Sequence, residues 1–245
     1  MKTAIVTGAS RGIGAACAVT LAKHGYNIIL GYKESAERAQ QLRDIIISSY
    51  GVGAEAIQAD VSDSFQAKKL IEAAAHDFGC TVDVLVNNAG VAQQKLFTDI
   101  TDEDWSNMIG TNLTGAFNCS REAAKYMISQ KSGVIINISS MWGQVGASCE
   151  VHYSAAKAGL IGMTKALAKE LALSNVRVNC ICPGVVMTDM MTDFDEETIR
   201  SLQEETPLQR LGKPKDIADM VEYLASDKGA FITGQIFGIN GGFVI

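Results

Sequence analysis

The sequence predicts an α/β fold, in which one doubly wound parallel sheet is covered by helices on both faces. Three observations support this prediction. Short apolar runs alternate with helical patterns along the whole chain, a glycine-rich turn follows the first run, and the runs are continuously apolar, as is typical of parallel strands. Because no internal linker, charge block or low-complexity segment interrupts the 245 residues, we expect a single domain over residues 1–245.

The composition argues against several classes of function. Apolar residues make up 47% of the chain and charged residues 20%, which is ordinary for a globular protein. The formal net charge of −6 argues against nucleic acid as a partner. No apolar run approaches the ~20 residues of a membrane span, and no signal-like segment precedes the first strand. We therefore expect a cytoplasmic protein with no membrane partner.

The cysteines do not indicate a metal site. Six are scattered along the chain without Cys-x2-Cys spacing, and only three histidines accompany them. Cys180 and Cys182 are too close in sequence for an easy disulfide. We expect reduced thiols, most of them buried, and no bound metal.

The first unit of the chain has the pattern of a phosphate-binding loop. An apolar strand over residues 2–7 leads into the turn TGASRGIG, and a helical pattern then continues to residue 24. Glycines allow the backbone to approach a pyrophosphate, and the start of a helix offers unpaired N–H groups. The spacing Gly-x3-Gly-x-Gly differs from the Gly-x-Gly-x2-Gly of many dinucleotide sites. This unit predicts nucleotide binding.

The remaining elements repeat the alternation, to give about seven strands. Further strands are predicted at residues 27–30, 54–59, 82–86, 133–139, 176–181 and 232–239. Helices are predicted at residues 35–49, 64–78, 104–130, 153–173 and 214–225.

A phenol and an ammonium group lie one helical turn apart in the fourth of these helices, residues 153–173. Tyr153 and Lys157 are four residues apart, so they share one helix face. A nearby positive charge favours a phenolate, and a tyrosine tuned in this way exchanges protons with a carbonyl or an alcohol near neutral pH. The alternative is an ordinary surface pair, which the spacing alone does not exclude.

Taken together, the motifs identify a family. The turn TGASRGIG, the sequence NNAG at residues 87–90, Asn112, Ser140, Tyr153-x3-Lys157 and Pro183-Gly184 jointly resemble the short-chain dehydrogenase/reductase family over the whole chain. The resemblance implies a Rossmann-type fold, a nicotinamide cofactor and reduction of a ketone.

The resemblance also implies catalytic roles. Tyr153 would give a proton to the substrate carbonyl, and Lys157 would lower the tyrosine pKa and bind the nicotinamide ribose. Ser140 would hold the carbonyl oxygen, and Asn112 would anchor a water that links Lys157 to solvent. Ser140 is preferred to Ser139 because it lies thirteen residues before Tyr153, the usual spacing in the family.

Besides Tyr153 and Lys157, the resemblance implies a set of cofactor contacts. They comprise the glycine turn, the ends of the second, third and fourth strands, and the residues after the sixth: Gly8, Ser10, Arg11, Gly12, Ile13, Gly14, Tyr32, Lys33, Asp60, Val61, Asn88, Ala89, Gly90, Pro183, Gly184, Val186 and Thr188.

The end of the second strand bears on the choice of cofactor. NAD-dependent enzymes usually carry an acid there, which binds the ribose 2′-OH. Here the position holds Tyr32 followed by Lys33, and Arg11 in the glycine turn offers a second cation for a 2′-phosphate. We predict NADPH (NADP⁺) as the cofactor rather than NADH. Solvated surface charges are the alternative for both cations.

Residues 185–212, called the lid segment below, are rich in Met, Asp and Glu and read as a pair of short amphipathic helices. The resemblance implies a mobile cover over the substrate. Met187, Met190 and Met191 would line an adaptable apolar pocket or fill the core.

Two substrates remain open. The chain is most similar to family members that act on 3-oxoacyl thioesters of acyl-carrier protein, which present basic residues near the cleft. Lys131 matches one such position, whereas Ser174 departs from the other. The loop with Trp142 and Gln144 is instead similar to reductases of the 5-aminopentanone modification of elongation factor P, where Glu150 would meet an amine.

The resemblance also bears on the oligomeric state and on an alternative function. Family members are mostly homotetramers built through helices that match residues 104–130 and 153–173, so we expect a homotetramer. A cofactor-binding sensor without turnover is the rival, although such proteins commonly lack the tyrosine or lysine that this chain retains.

Overall fold

The computed structural model describes residues 1–79, 81–191 and 194–245. Cys80 and residues 192 and 193 of the lid segment lie outside the described part, as does the side chain of Met190. The strands are β1 (Thr3–Thr7), β2 (Asn27–Tyr32), β3 (Ala54–Gln58), β4 (Val84–Asn87), β5 (Gly133–Ile138), β6 (Val176–Pro183) and β7 (Ile236–Ile239).

All seven strands form one parallel sheet in the order β3-β2-β1-β4-β5-β6-β7. The predicted doubly wound fold is therefore confirmed. The strand order reverses between β1 and β4, and in such sheets ligands bind at the carboxyl ends of the strands at this switch point.

Helices cover both faces of the sheet. They are α1 (Gly12–Lys23), α2 (Ala36–Tyr50), α3 (Ser64–Asp77), α4 (Asp102–Ile109), α5 (Gly115–Gln130), α6 (Trp142–Val145), α7 (Val151–Leu171), α8 (Glu196–Glu205) and α9 (Pro214–Ala225). In β1, Ala4 and Val6 pack with α1 and α9, whereas Ile5 packs with α3 and α5. Because successive side chains of a strand point to opposite faces, both faces need apolar residues, which explains the continuous apolar runs.

The helix predicted over residues 104–130 is divided by one π-helical turn. Thr101 and Asp104 form a capping box at the start of α4, and the π turn covers Gly110–Thr114 before α5 begins. The Asn112 side chain within this turn bonds the carbonyl of Met108 at 3.0 Å. Turns of this type are frequent at functional sites, and this one directs Asn112 into the protein.

Two further predictions of local structure need correction. The last strand begins at Ile236 and not at residue 232, because Gly234 has a φ of +71°, which a regular strand does not adopt. In its described part, the lid segment contains a 3-10 turn at Asp189–Met191 and the α-helix α8, so the first member of the predicted helix pair is only a single 3-10 turn. The two ends of the segment are joined by a bridge between Val186 and Gly212.

None of the described helices is long and apolar enough to cross a membrane.

Candidate active site

The side chains predicted to be catalytic lie together at the carboxyl edge of the sheet. Tyr153 and Lys157 project from the first turns of α7, and the Lys157 Nζ lies 5.6 Å from the centre of the Tyr153 ring. Ser140, on the loop after β5, lies close enough to Tyr153 for its hydroxyl to lower the tyrosine pKa. The N–H of Trp142 donates to the Ser140 oxygen at 3.2 Å, which fixes the serine in its loop.

Lys157 is buried, with 4% of its surface exposed. Its ammonium donates to the carbonyl of Ile138 at 2.9 Å, at the end of β5. Burial lowers the pKa of Lys157 to about 8, because loss of hydration disfavours the charged form. The side chain is therefore positive at neutral pH but loses its proton just above it.

Ser139 has a structural role. Its hydroxyl is buried and donates to the backbone carbonyl of Lys157 at 2.8 Å, so it ties the end of β5 to α7. Gly143 allows this close approach, since a Cβ there would lie 2.8 Å from the Lys157 carbonyl carbon. Ser140 is the serine whose hydroxyl affects the Tyr153 pKa, and its catalytic role stays a prediction.

The structure corrects the electrostatic prediction for Tyr153. Burial of its hydroxyl raises the pKa to about 12, the hydrogen bond with Ser140 offsets only part of the rise, and Glu150 adds to it. The Lys157 ammonium is held against the carbonyl of Ile138, so its charge does not outweigh the lost hydration. A phenol with a raised pKa is fully protonated at neutral pH, which is the state that proton donation requires.

Asn112, the remaining residue predicted to be catalytic, lies near Lys157. Its amide nitrogen donates to the carbonyls of Val91 and Met108, both at 3.0 Å, whereas its buried Oδ1 has no partner among the described atoms. A Cβ on Gly90 would lie 2.6 Å from this oxygen and 3.4 Å from the Lys157 Nζ. Only glycine therefore fits at position 90, and the unpartnered oxygen suits a bound water near the lysine.

The glycine turn is locked to the end of β4. Gly8 has a φ of +63°, and a Cβ on Gly14 would lie 2.3 Å from the Gly8 carbonyl oxygen. The Asn88 side chain donates to the carbonyls of Thr7 and Gly8 at 3.0 and 3.1 Å. The Thr7 hydroxyl accepts from the N–H of Ala89 at 3.0 Å. Asn88 and Ala89 thus shape the turn.

The start of α1 fits a pyrophosphate. No side chain caps its first turn, so its N–H groups are available to an anion. Within the turn, Ser10 and Ile13 are half-buried and Arg11 is exposed. The first residues of the lid segment face the same turn, since the Thr188 methyl would lie 3.4 Å from a Cβ on Gly12.

The predicted 2′-phosphate site is more constrained than the sequence suggested. Tyr32 is buried at the end of β2, and the Lys33 ammonium lies 2.8 Å from a carboxylate oxygen of Asp60. The other carboxylate oxygen of Asp60 accepts from the Ser62 hydroxyl at 2.6 Å. Lys33 is therefore not a solitary cation, because its charge is already paired.

The remaining predicted contacts line the same edge. Val61 is buried after β3, and Pro183 ends β6, where its carbonyl accepts from the N–H of Met141 at 2.9 Å. Gly184 lies against the C-terminal turn, since a Cβ there would approach the Asn240 Cα to 2.7 Å. Among the described residues, no cluster of His, Cys, Asp or Glu could hold a metal ion.

Comparisons with known proteins find one family over nearly the whole chain. A family model described as enoyl-(acyl carrier protein) reductase matches residues 8–244. The chain is 44% identical to the 3-oxoacyl-[acyl-carrier-protein] reductase FabG of Staphylococcus aureus (strain N315), over 98% of this chain and 97% of the relative. It is 43% identical to the 3-oxoacyl-[acyl-carrier-protein] reductase of Synechocystis sp., over 100% of this chain and 97% of the relative.

The chain belongs to the short-chain dehydrogenase/reductase family. A crystal structure from Sinorhizobium meliloti 1021, described as a short-chain alcohol dehydrogenase, superposes with a TM-score of 0.94 at 38% identity. The match covers 99% of this chain and 96% of that chain. The protein is therefore an oxidoreductase that acts on ketone or alcohol groups.

This short-chain dehydrogenase/reductase also contains site features that sequence reasoning missed. Arg38 on α2 is ion-paired with Asp189 of the lid segment. Cys180 and Cys182 lie side by side near Lys157, whose charge helps to hold the pKa of Cys182 below its usual range, after a larger contribution from Cys180. Four of the five described cysteines are buried, as expected, but nothing in the sequence indicated that two of them adjoin Lys157.

The position predicted for carrier contact needs correction. Lys131 follows α5 immediately before β5 begins, so it lies at the amino edge of the sheet. Ser140 and Tyr153 lie at the carboxyl edge, beyond the other end of β5. Within one chain, Lys131 is therefore not beside the cleft.

Proposed function

We propose that the protein is an NADPH-dependent 3-oxoacyl-[acyl-carrier-protein] reductase in which Tyr153 is the proton donor. The observation that carries the proposal is the assembly of Tyr153, Ser140, Lys157 and Asn112 beside a glycine turn shaped for a dinucleotide. The substrate is inferred from the relatives, since those from S. aureus and Synechocystis are named for this reaction.

The residues present suit the reduction of a carbonyl. A bound nicotinamide supplies the hydride. Tyr153, protonated at neutral pH, gives its proton to the carbonyl oxygen. The Ser140 hydroxyl donates to the same oxygen, where charge develops in the transition state. Lys157 keeps a positive charge close to the phenol, and Asn112 holds the water through which a proton returns.

The cofactor contacts fall into three groups. The N–H groups at the start of α1, together with Gly8, Gly12 and Gly14, would hold the pyrophosphate. Asp60, Val61 and the segment Asn88–Gly90 would enclose the adenosine. Pro183, Gly184, Val186 and Thr188 would flank the nicotinamide, and Lys157 would bind its ribose. NADPH is favoured over NADH because no acid ends β2 and because Arg11 is exposed nearby.

The proposal is tested by steady-state oxidation of NADPH with an acetoacetyl thioester, against the same assay with NADH. We expect the thioester to be reduced with a higher kcat/KM for NADPH. A higher kcat/KM with NADH would contradict the cofactor assignment. Failure to reduce any thioester would contradict the substrate assignment.

A second substrate is favoured by one observation, the position of Glu150. This carboxylate is close enough to Tyr153 to raise the tyrosine pKa, and burial raises its own pKa. The Glu150 carboxylate accepts from the side-chain amide of Gln94 at 3.5 Å, which is a weak contact. An acid with so little solvation gains from a cationic group on the substrate. The 5-aminopentanone modification of elongation factor P carries such a group.

The two substrates are distinguished by Glu150→Gln. If the natural substrate is an amine-bearing ketone, the variant should raise its KM about tenfold through loss of a charge pair, while kcat with an acetoacetyl thioester is unchanged. Strong turnover of the thioester by the parent, with no activity on ketone-modified factor, would exclude the second substrate.

We also propose that the lid segment covers the substrate and that the protein is a homotetramer. Met187 of the lid segment is 44% exposed, which suits a pocket wall more than core filling, and Met191 is half-buried.

Trp105 and Phe117, on α4 and α5, are both more than 40% exposed, which suits an interface between subunits. In a tetramer, Lys131 could meet a carrier docked at the cleft of a neighbouring subunit.

A cytoplasmic location is supported by the five described cysteines, which are all free.

A further inference from the structure

An ion pair joins the cofactor-binding half of the chain to the lid segment. The Arg38 guanidinium donates to the Asp189 carboxylate at 2.5 Å, although the two residues are 151 positions apart. Arg38 is in the first turn of α2, directly after the carboxyl end of β2. Asp189 begins the 3-10 turn of the lid segment. The pair thus connects two elements that border the predicted dinucleotide site from opposite sides.

The position of the guanidinium is fixed by its neighbours. Asp189 follows Thr188, whose methyl would lie 3.4 Å from a Cβ on Gly12, so Asp189 is close to the glycine turn. The guanidinium therefore lies between the end of β2 and that turn. In folds of this type the acid that binds the ribose 2′-OH comes from the end of β2. A 2′-phosphate would accordingly lie within reach of Arg38.

Two other charged side chains near this point, Lys33 and Glu37, already have partners. Lys33 is paired with Asp60 at 2.8 Å. Glu37 accepts from the amide of Gln41 at 3.1 Å. Arg38 differs because its partner belongs to the lid segment, and because both side chains of the pair are about half exposed, so a ligand can reach them.

We propose that Arg38 recognises the 2′-phosphate of the cofactor and that Asp189 competes with this phosphate for the guanidinium. This inference rests on the proposed use of NADPH. A phosphate carries more negative charge than a carboxylate and offers three acceptor oxygens, so it displaces Asp189. NADH has no such group, and the ion pair persists when it binds. The pair therefore makes cofactor choice depend on the lid segment.

The test is the binding of NADPH and of NADH, followed by nicotinamide fluorescence without any ketone. In Arg38→Gln, NADPH should bind about tenfold more weakly through loss of a charge-assisted contact, with NADH unchanged. Arg38→Lys should recover part of the loss. In Asp189→Asn, NADPH should bind about threefold more tightly, because a competing surface ion pair is removed, and NADH should again be unchanged.

The matched control is Asp219→Asn, which removes an exposed ion pair with Lys215 on α9 and should alter neither affinity. If Asp189→Asn leaves NADPH binding unchanged, or changes both cofactors alike, the competition does not exist. If the parent prefers NADPH and Arg38→Gln keeps that preference, the inference fails while the proposed function stands. A parent that binds NADH as tightly as NADPH overturns both.

Discussion

Tyr153→Phe is expected to lower kcat about a thousandfold, within the range attributed to general acid catalysis. The substitution removes one hydroxyl and keeps the ring that packs beside Lys157. The carbonyl oxygen would then lack its proton donor, and Ser140 alone cannot neutralise the alkoxide. The measurement is kcat from NADPH oxidation with the best ketone. NADPH affinity, followed by fluorescence, should change less than threefold, because the Tyr153 hydroxyl is only one of the groups that would contact the cofactor.

Tyr223→Phe is the matched control, since Tyr223 is a partly exposed residue of α9 and should behave like the parent. A Tyr153→Phe protein that retained a tenth of the parental kcat would show that another group donates the proton. The comparison also separates the enzyme from a cofactor-binding sensor. A sensor would show no reductase activity in the parent either, on any carbonyl tried, and the substitution would then change nothing.

Lys157→Met is expected to lower kcat about a hundredfold through loss of the positive charge near the phenol. In the parent, burial holds the pKa of Lys157 at about 8, below its ordinary value, so the ammonium is present below that pH and is lost above it. Tyr153, with a pKa of about 12, stays protonated across the same range. The parental kcat/KM should therefore decline as the pH rises through about 8, with Lys157 and not Tyr153 responsible.

Folding stability gives an independent check on this pKa. Above pH 8 the folded protein releases the Lys157 proton, whereas the unfolded chain keeps it up to about 10.4. The unfolded state then binds more protons, so this residue makes the free energy of unfolding rise between these two values. Lys157→Met should lack that rise. Lys169→Met, on the last turn of the same helix, should leave both the activity profile and the stability profile unchanged. If the free energy of unfolding of the parent stayed constant up to pH 10, the pKa of about 8 for Lys157 would be contradicted.

Much of the fold was predictable because it depends on local patterns. Side chains of β1 alternate between two apolar layers, so Ala4, Ile5 and Val6 had to be apolar together. The positive φ of Gly8 and the crowding at Gly14 follow from a turn that brings backbone against backbone. The errors fell where local pattern is weak. The positive φ of Gly234 delays the start of the last strand to Ile236, and the π turn at Gly110–Thr114 interrupts a helix that the prediction had treated as continuous.

The sequence by itself determined the parallel sheet, the glycine turn and the pairing of Tyr153 with Lys157, since each is set by residues a few positions apart. Only the tertiary structure decided which charges are available. Lys33 is paired with Asp60, Arg38 meets Asp189, and burial sets the pKa values of the catalytic pair. These outcomes depend on how elements far apart in the chain pack together and exclude water. Periodicity along the sequence carries no record of that packing.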